Sequence, residues 1–140
     1  MNRPASPAKF VLMNTVGVPN SDLSERRGFF ERALLALLRW LIPPVKDNET
    51  AAWYLRETLG ARSEYLEWCS VRTDSLINAE DSPYEVTESP VTNLFFGGRS
   101  TTRSNVARFM TQLIEDEALW DTWKFKMPVI MNAQVRSPGS

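Results

Sequence analysis

Short apolar blocks alternate with polar, turn-forming segments along the chain, and their spacing switches between strand and helix patterns. Phe10-Val11-Leu12-Met13 is an unbroken apolar run, ended by Asn14-Thr15-Val16-Gly17-Val18-Pro19. Such a run bounded by turn residues predicts a strand buried on both faces, as in a parallel sheet. Ser21 and Ser24 are candidate N-caps, and Asp22 and Glu25 favour a helix start. Phe29, Phe30, Ala33, Leu34, Leu37, Leu38 and Leu41 then recur at helical spacing, which predicts a helix over about 25–42 ended by Pro43-Pro44. A second helix is expected over about 47–59, with Ala51, Ala52, Tyr54 and Leu55 facing inward and Gly60 as its C-cap.

Residues 66–72 read as the next strand, containing Trp68 and Val71, with Thr73-Asp74 at its end. Residues 84–87 alternate and predict a short, half-exposed strand. The segment 93–98 fits either another short strand or an irregular loop. Thr101 to Ser104 cap one long helix over about 105–123, in which Val106, Phe109, Met110, Leu113 and Ile114 fall on one face. Residues 127–131 form a last strand, and the tail from 133 onward is expected to fray.

This order is an α/β pattern. It offers only about three strong strands, however, and reads as part of a sheet. With 140 residues, 43% hydrophobic and 24% charged, the chain has the composition of one globular domain. The net charge of -1 gives no electrostatic case for nucleic acid or an anionic membrane. Seven Phe and five Trp need a core or an interface to cover them. The single cysteine, Cys69, forms no intrachain disulfide and is expected to be buried and inert. The absence of histidine excludes His-based triads and the common His/Cys zinc sites, so no metal is expected. A reducing, cytoplasmic compartment follows as the default. The polar, proline-bearing start shows no signal peptide, and the most apolar stretch, 29–42, is interrupted by Arg32 and Arg39 and too short for a membrane span.

Four stretches carry a resemblance: 10–17, 46–55, 66–76 and 100–110. In this order and spacing they resemble the C-terminal half of atypical short-chain dehydrogenase/reductase-like NAD(P)-binding Rossmann proteins, the NmrA-like and biliverdin/flavin-reductase-like group. The resemblance covers about residues 8–133. It implies an α/β, partial Rossmann-like three-layer fold, a parallel sheet with flanking helices, in which residues 1–140 are a single C-terminal part beginning near the fifth strand. The family's glycine-rich turn, whose backbone N–H groups hold a pyrophosphate, has no match; Gly97-Gly98 lacks the spacing. NAD or NADP is implied by the resemblance alone, and binding by this chain without the missing half is not expected.

The same resemblance nominates cofactor-binding positions. Asn14 and Thr15 occupy the loop beside the nicotinamide, and Thr15 is the one candidate catalytic hydroxyl. The plainer reading is that both residues end the strand through local turn bonds. Lys46 with Glu49 resembles the Lys-x-x-Glu part of the Tyr-Lys pattern, but Ile42 stands where the proton-donating Tyr belongs. Lys46 could still touch a ribose, but a solvated lysine at a helix start is the plainer reading. Arg72 and Thr73 resemble a turn that closes over the nicotinamide side, against an Arg72 ion pair as the alternative. Arg103 and Asn105 read as helix-start structure. Two functions follow: an NAD(P)-binding oxidoreductase-like protein, inactive alone for want of its dinucleotide-binding half, or a non-catalytic interaction or dimerisation module derived from that fold. The corresponding partner is a complementing N-terminal half or a second copy in a homo-oligomer.

Overall fold

The computed structural model describes residues 6–15, 28–41, 43–88 and 99–134. The ordered elements are β1 (Ala8–Thr15), α1 (Phe29–Leu41), α2 (Pro43–Trp53), β2 (Leu66–Thr73), β3 (Ser75–Ile77), β4 (Tyr84–Thr87), β5 (Ser100–Thr102), α3 (Arg103–Glu115), α4 (Glu117–Trp123) and β6 (Val129–Asn132). A π-helical turn, Tyr54–Leu59, continues α2. The main sheet has the order β1-β2-β6-β4. β1 and β6 run parallel to β2, and β4 is antiparallel to β6.

β2 is the strand around which both cores assemble. Its alternate side chains enter opposite layers, as the two-residue period of a strand requires. Cys69 and Val71 join Ile130, Val106, Phe109, Leu113 and Trp120 beneath α3 and α4. Trp68 joins Ala52, Leu55 and Met127 beneath α2 and its π-helical turn. Helices therefore cover both faces of a mostly parallel sheet, giving the expected three-layer α/β fold. Fully burying side chains of this size stabilises the fold by about 2 kcal/mol each.

Several expectations need correction. The apolar run in β1 predicted burial on both faces, yet Phe10 is 42% and Met13 49% exposed. Among the described residues β1 is a sheet edge, so the doubly covered environment belongs to β2 instead. The sheet is mixed rather than wholly parallel, because β4 enters antiparallel. Two short segments, β3 and β5, form a separate two-stranded parallel sheet that the pattern did not predict; three residues apiece are too few for a periodic signal. The expected helix over 105–123 is two helices. Asp116 adopts an extended backbone (φ -104°, ψ 108°), ends α3 and accepts from the N–H groups of Ala118 and Leu119 to cap α4.

Pro43 opens α2 rather than standing between helices, which a proline at a first helical position allows. Tyr54, expected inward, is half exposed, and the apolar face of α1 carries exposed rings at Phe29 and Phe30. Gly60 holds a positive φ of 52° as its N–H closes the π-helical turn onto the Leu55 carbonyl, as a C-cap glycine should. Residues 25–27, the segment 93–98 and the tail beyond 134 lie outside the described residues. No helix among the described residues is long and apolar enough to cross a membrane.

Candidate functional site

The parallel pairing of β1 with β2 aligns Asn14 with Arg72 and Thr15 with Thr73 at the carboxyl ends of both strands. Four of the five nominated positions thus meet as two side-by-side pairs. Strand alternation sends Asn14 and Arg72 toward the α2 layer and Thr15 and Thr73 toward the α3 layer. The carboxyl ends of parallel strands are where open α/β sheets place their ligands.

The two pairs differ in what they have left to offer. Asn14 is buried; its Nδ2 donates to the Asn48 carbonyl at 3.1 Å, and its Oδ1 accepts from the Thr15 N–H at 2.8 Å. The amide anchors α2 to the end of β1 and accepts from the adjacent backbone N–H within the strand. Arg72 is fully buried, with Nε donating to the Met127 carbonyl at 2.8 Å and Nη2 to the Glu88 carbonyl at 2.9 Å. Its backbone N–H also donates to the Pro128 carbonyl at 2.7 Å. Arg72 therefore ties the end of β2 to the approach of β6 and the exit of β4. Thr73 is buried beside Ile130, and Thr15 is half-buried at the end of the edge strand.

Lys46 is not brought to this pair of strand ends. Its side chain is exposed on α2, and the contact from that helix to the strand end is made by the carbonyl of Asn48. Ile42, the position of the missing tyrosine, lies outside the described residues. Tyr54 is no replacement: it lines an apolar groove with Phe10, Leu12 and Leu66, beside the amino-terminal half of the strands. Asp74 follows Thr73 directly, and burial raises its carboxyl above the usual range while the Arg99 backbone N–H partly opposes that rise. Its place at the strand end was visible in the sequence, whereas its half-buried setting was not.

A glycine cradle for a pyrophosphate needs backbone approach at a helix N-terminus. Of the described glycines, Gly28 has open space where a side chain would sit, and Gly60 stands at a helix C-terminus, the wrong end of the dipole. At the strand ends Thr15 and Thr73 place two hydroxyl-bearing side chains in register, and neither described glycine forms a close-packed cradle at a helix N-terminus. Among them no group of three or more Cys, Asp or Glu is arranged to hold a metal.

The opening of α3 is structural, in keeping with its reading as a capped start. The Thr102 hydroxyl accepts from the Asn105 N–H at 3.1 Å, and Arg103 donates to Asn78 at 2.7 Å. Asn105 is a hub that the sequence did not reveal. Fully buried, its Nδ2 donates to Ser82 Oγ and Asn132 Oδ1 at 3.0 Å, and its Oδ1 accepts from Arg108 Nη2 at 2.8 Å and from the Ser82 N–H at 3.3 Å. Cys69 is buried, and desolvation pushes its thiol up to about 12.

No family model and no curated protein sequence matches the chain. Two solved structures resemble it over 90% of its length: the oxidoreductase ylbE from Lactococcus lactis, at 16% identity and a TM-score of 0.57, and a Bacillus halodurans protein assigned as an NAD-dependent epimerase/dehydratase, at 18% identity and a TM-score of 0.53. The chain spans 47% of the length of each. Its fold is accordingly the Rossmann-like α/β fold found in part of those two proteins.

Proposed function

We propose that this chain forms the nicotinamide-side wall of an NAD(P)-binding, oxidoreductase-like unit of the atypical short-chain dehydrogenase type, close to the NmrA-like group. The observation that carries the reading is the in-register pairing of Thr15 with Thr73 at two adjacent parallel carboxyl ends, beside the open edge of β1. The dinucleotide-gripping half comes from another polypeptide segment that extends the sheet at β1. Both structural neighbours, about twice as long as this chain, are named as an oxidoreductase and an NAD-dependent enzyme, which supports that division. The unit belongs to a reducing, cytoplasmic setting, where the lone Cys69 stays a thiol. Equilibrium titration of the chain alone with NADPH tests the division of labour. Binding no tighter than millimolar is expected; saturable micromolar binding refutes the need for a second half.

A second reading, a non-catalytic interaction or dimerisation module, is favoured by the distribution of exposed apolar side chains. Phe10, Met13, Phe29, Phe30, Leu37, Trp53, Tyr54 and Tyr65 all lie on β1, on α1, on α2 and its continuation, or at the entry to β2. Exposed apolar surface of this extent marks a candidate contact face. Light scattering distinguishes the cases: a homodimer supports the module, and a compact monomer at all concentrations removes it.

A further inference from the structure

On the opposite edge of the sheet from β1, a cleft of about 520 Å³ opens between the segment leading into β4 and the exposed side of α3. It is lined by Asp81, Ser82, Pro83, Tyr84, Arg108 and Gln112. Its volume falls within the range of small-molecule sites. The guanidinium of Arg108 is held with unusual care for a surface cation. Nη2 donates to the Ser82 carbonyl at 3.0 Å and to Oδ1 of the fully buried Asn105 at 2.8 Å. The same group lies over the Tyr84 ring, 5.2 Å from its centroid. Among the described residues Nη1 approaches one charged partner, the exposed Asp81 carboxylate, at 3.7 Å, beyond ordinary hydrogen-bond length.

Gln112 stands one helical turn further along α3, on the same face as Arg108. The Tyr84 hydroxyl donates to its Oε1 at 2.6 Å, which fixes the carboxamide and leaves its NH2 group as a donor. The cleft lining therefore includes two donor groups, Arg108 Nη1 and Gln112 Nε2, carried one helical turn apart on α3. We propose that this cleft binds the carboxylate of a small molecule, with Arg108 Nη1 and Gln112 Nε2 as its donors and Asp81 as an internal competitor for the guanidinium. A charged planar donor paired with a neutral one suits an acceptor with two oxygens. If Arg108 served only to pin Ser82, Nη2 would suffice, and neither Gln112 nor Asp81 would affect an added anion. The site uses neither Thr15 nor Thr73, so its failure leaves the strand-end reading untouched.

The test is an NMR titration of the full chain with sodium acetate, at constant ionic strength against chloride. Saturable shifts of the Arg108 and Gln112 side chains and of the Tyr84 amide are expected. Arg108→Gln and Gln112→Leu should each weaken binding, the former by roughly tenfold or more. Gln112→Leu leaves the Asn105 and Ser82 contacts of Arg108 in place, so its loss is not a folding effect. Asp81→Asn should tighten binding several-fold by removing the competing carboxylate. Absence of saturation in the unmodified chain, saturation unchanged by Gln112→Leu, or no gain in Asp81→Asn overturns the proposal.

Discussion

Asn105 is fully buried and engages its side-chain oxygen and nitrogen with Ser82, Asn132 and Arg108. Asn105→Ala strands the Ser82 N–H and removes the bonds to Ser82 Oγ, Asn132 and Arg108, although Asn132 Oδ1 keeps the Thr102 N–H, and a buried unsatisfied polar group costs about 1–3 kcal/mol. A loss of about 3 kcal/mol in urea unfolding is expected, and a loss below about 1 kcal/mol would mean that the network rearranges at no cost. Cys69 gives a pH signature. Its thiol is raised from 9.0 to about 12 in the native chain, so the unfolded chain loses that proton first as pH rises. Stability is therefore unaffected by this group below 9.0 and declines from there toward 12. The native thiol should ignore a disulfide reagent at mildly alkaline pH and react once denaturant is added. At this scale the positions of Asn14, Thr15, Arg72 and Thr73 at strand ends were legible, because the apolar runs stop there. The partners of Arg72 were not, since they are carbonyls 16 and 55 residues away.

Elements were legible where periodicity is long and obscure where geometry is set by a single residue. The strand over 66–72 and the short strand over 84–87 correspond closely to β2 and β4. Asp116 splits the expected long helix because its carboxylate caps α4 better than its backbone continues α3. Asp116→Ala should cost about 1 kcal/mol, read as a lower urea midpoint. Gly60→Ala places a side chain at a φ of 52°, 3.4 Å from the Arg56 carbonyl, and should cost about 1–2 kcal/mol. β1 was misread for a clear reason: its composition suits a strand with neighbours on both sides, while the described sheet gives it one. Met13→Ser should therefore change stability by no more than about 0.5 kcal/mol, whereas Val71→Ala, in the doubly covered strand, should lose about 2 kcal/mol. Equal losses at the two positions would show that β1 is covered on its outer side in the isolated chain.

For the whole molecule, one feature organises the rest: two adjacent parallel strands end in register, and among the described residues the first of them is an edge of its sheet. The carboxyl ends of these strands carry Thr15 and Thr73, and under the proposed function a second segment supplies the phosphate contacts. Exposed apolar side chains occur on β1, α1, α2 and at the entry to β2, with others at Ile77 and Ile114. The sequence predicted few strong strands, but not which of them lies at an edge of the described sheet, because strand order is a property of long-range pairing. The most direct measurement is a residue-resolved NMR titration of the isolated chain with NADPH into the millimolar range. Weak, non-saturating shifts gathered at Thr15, Thr73 and Asp74 are the predicted result. Shifts confined to other surfaces, or none at the strand ends, would contradict the assignment of those ends as the nicotinamide-side wall.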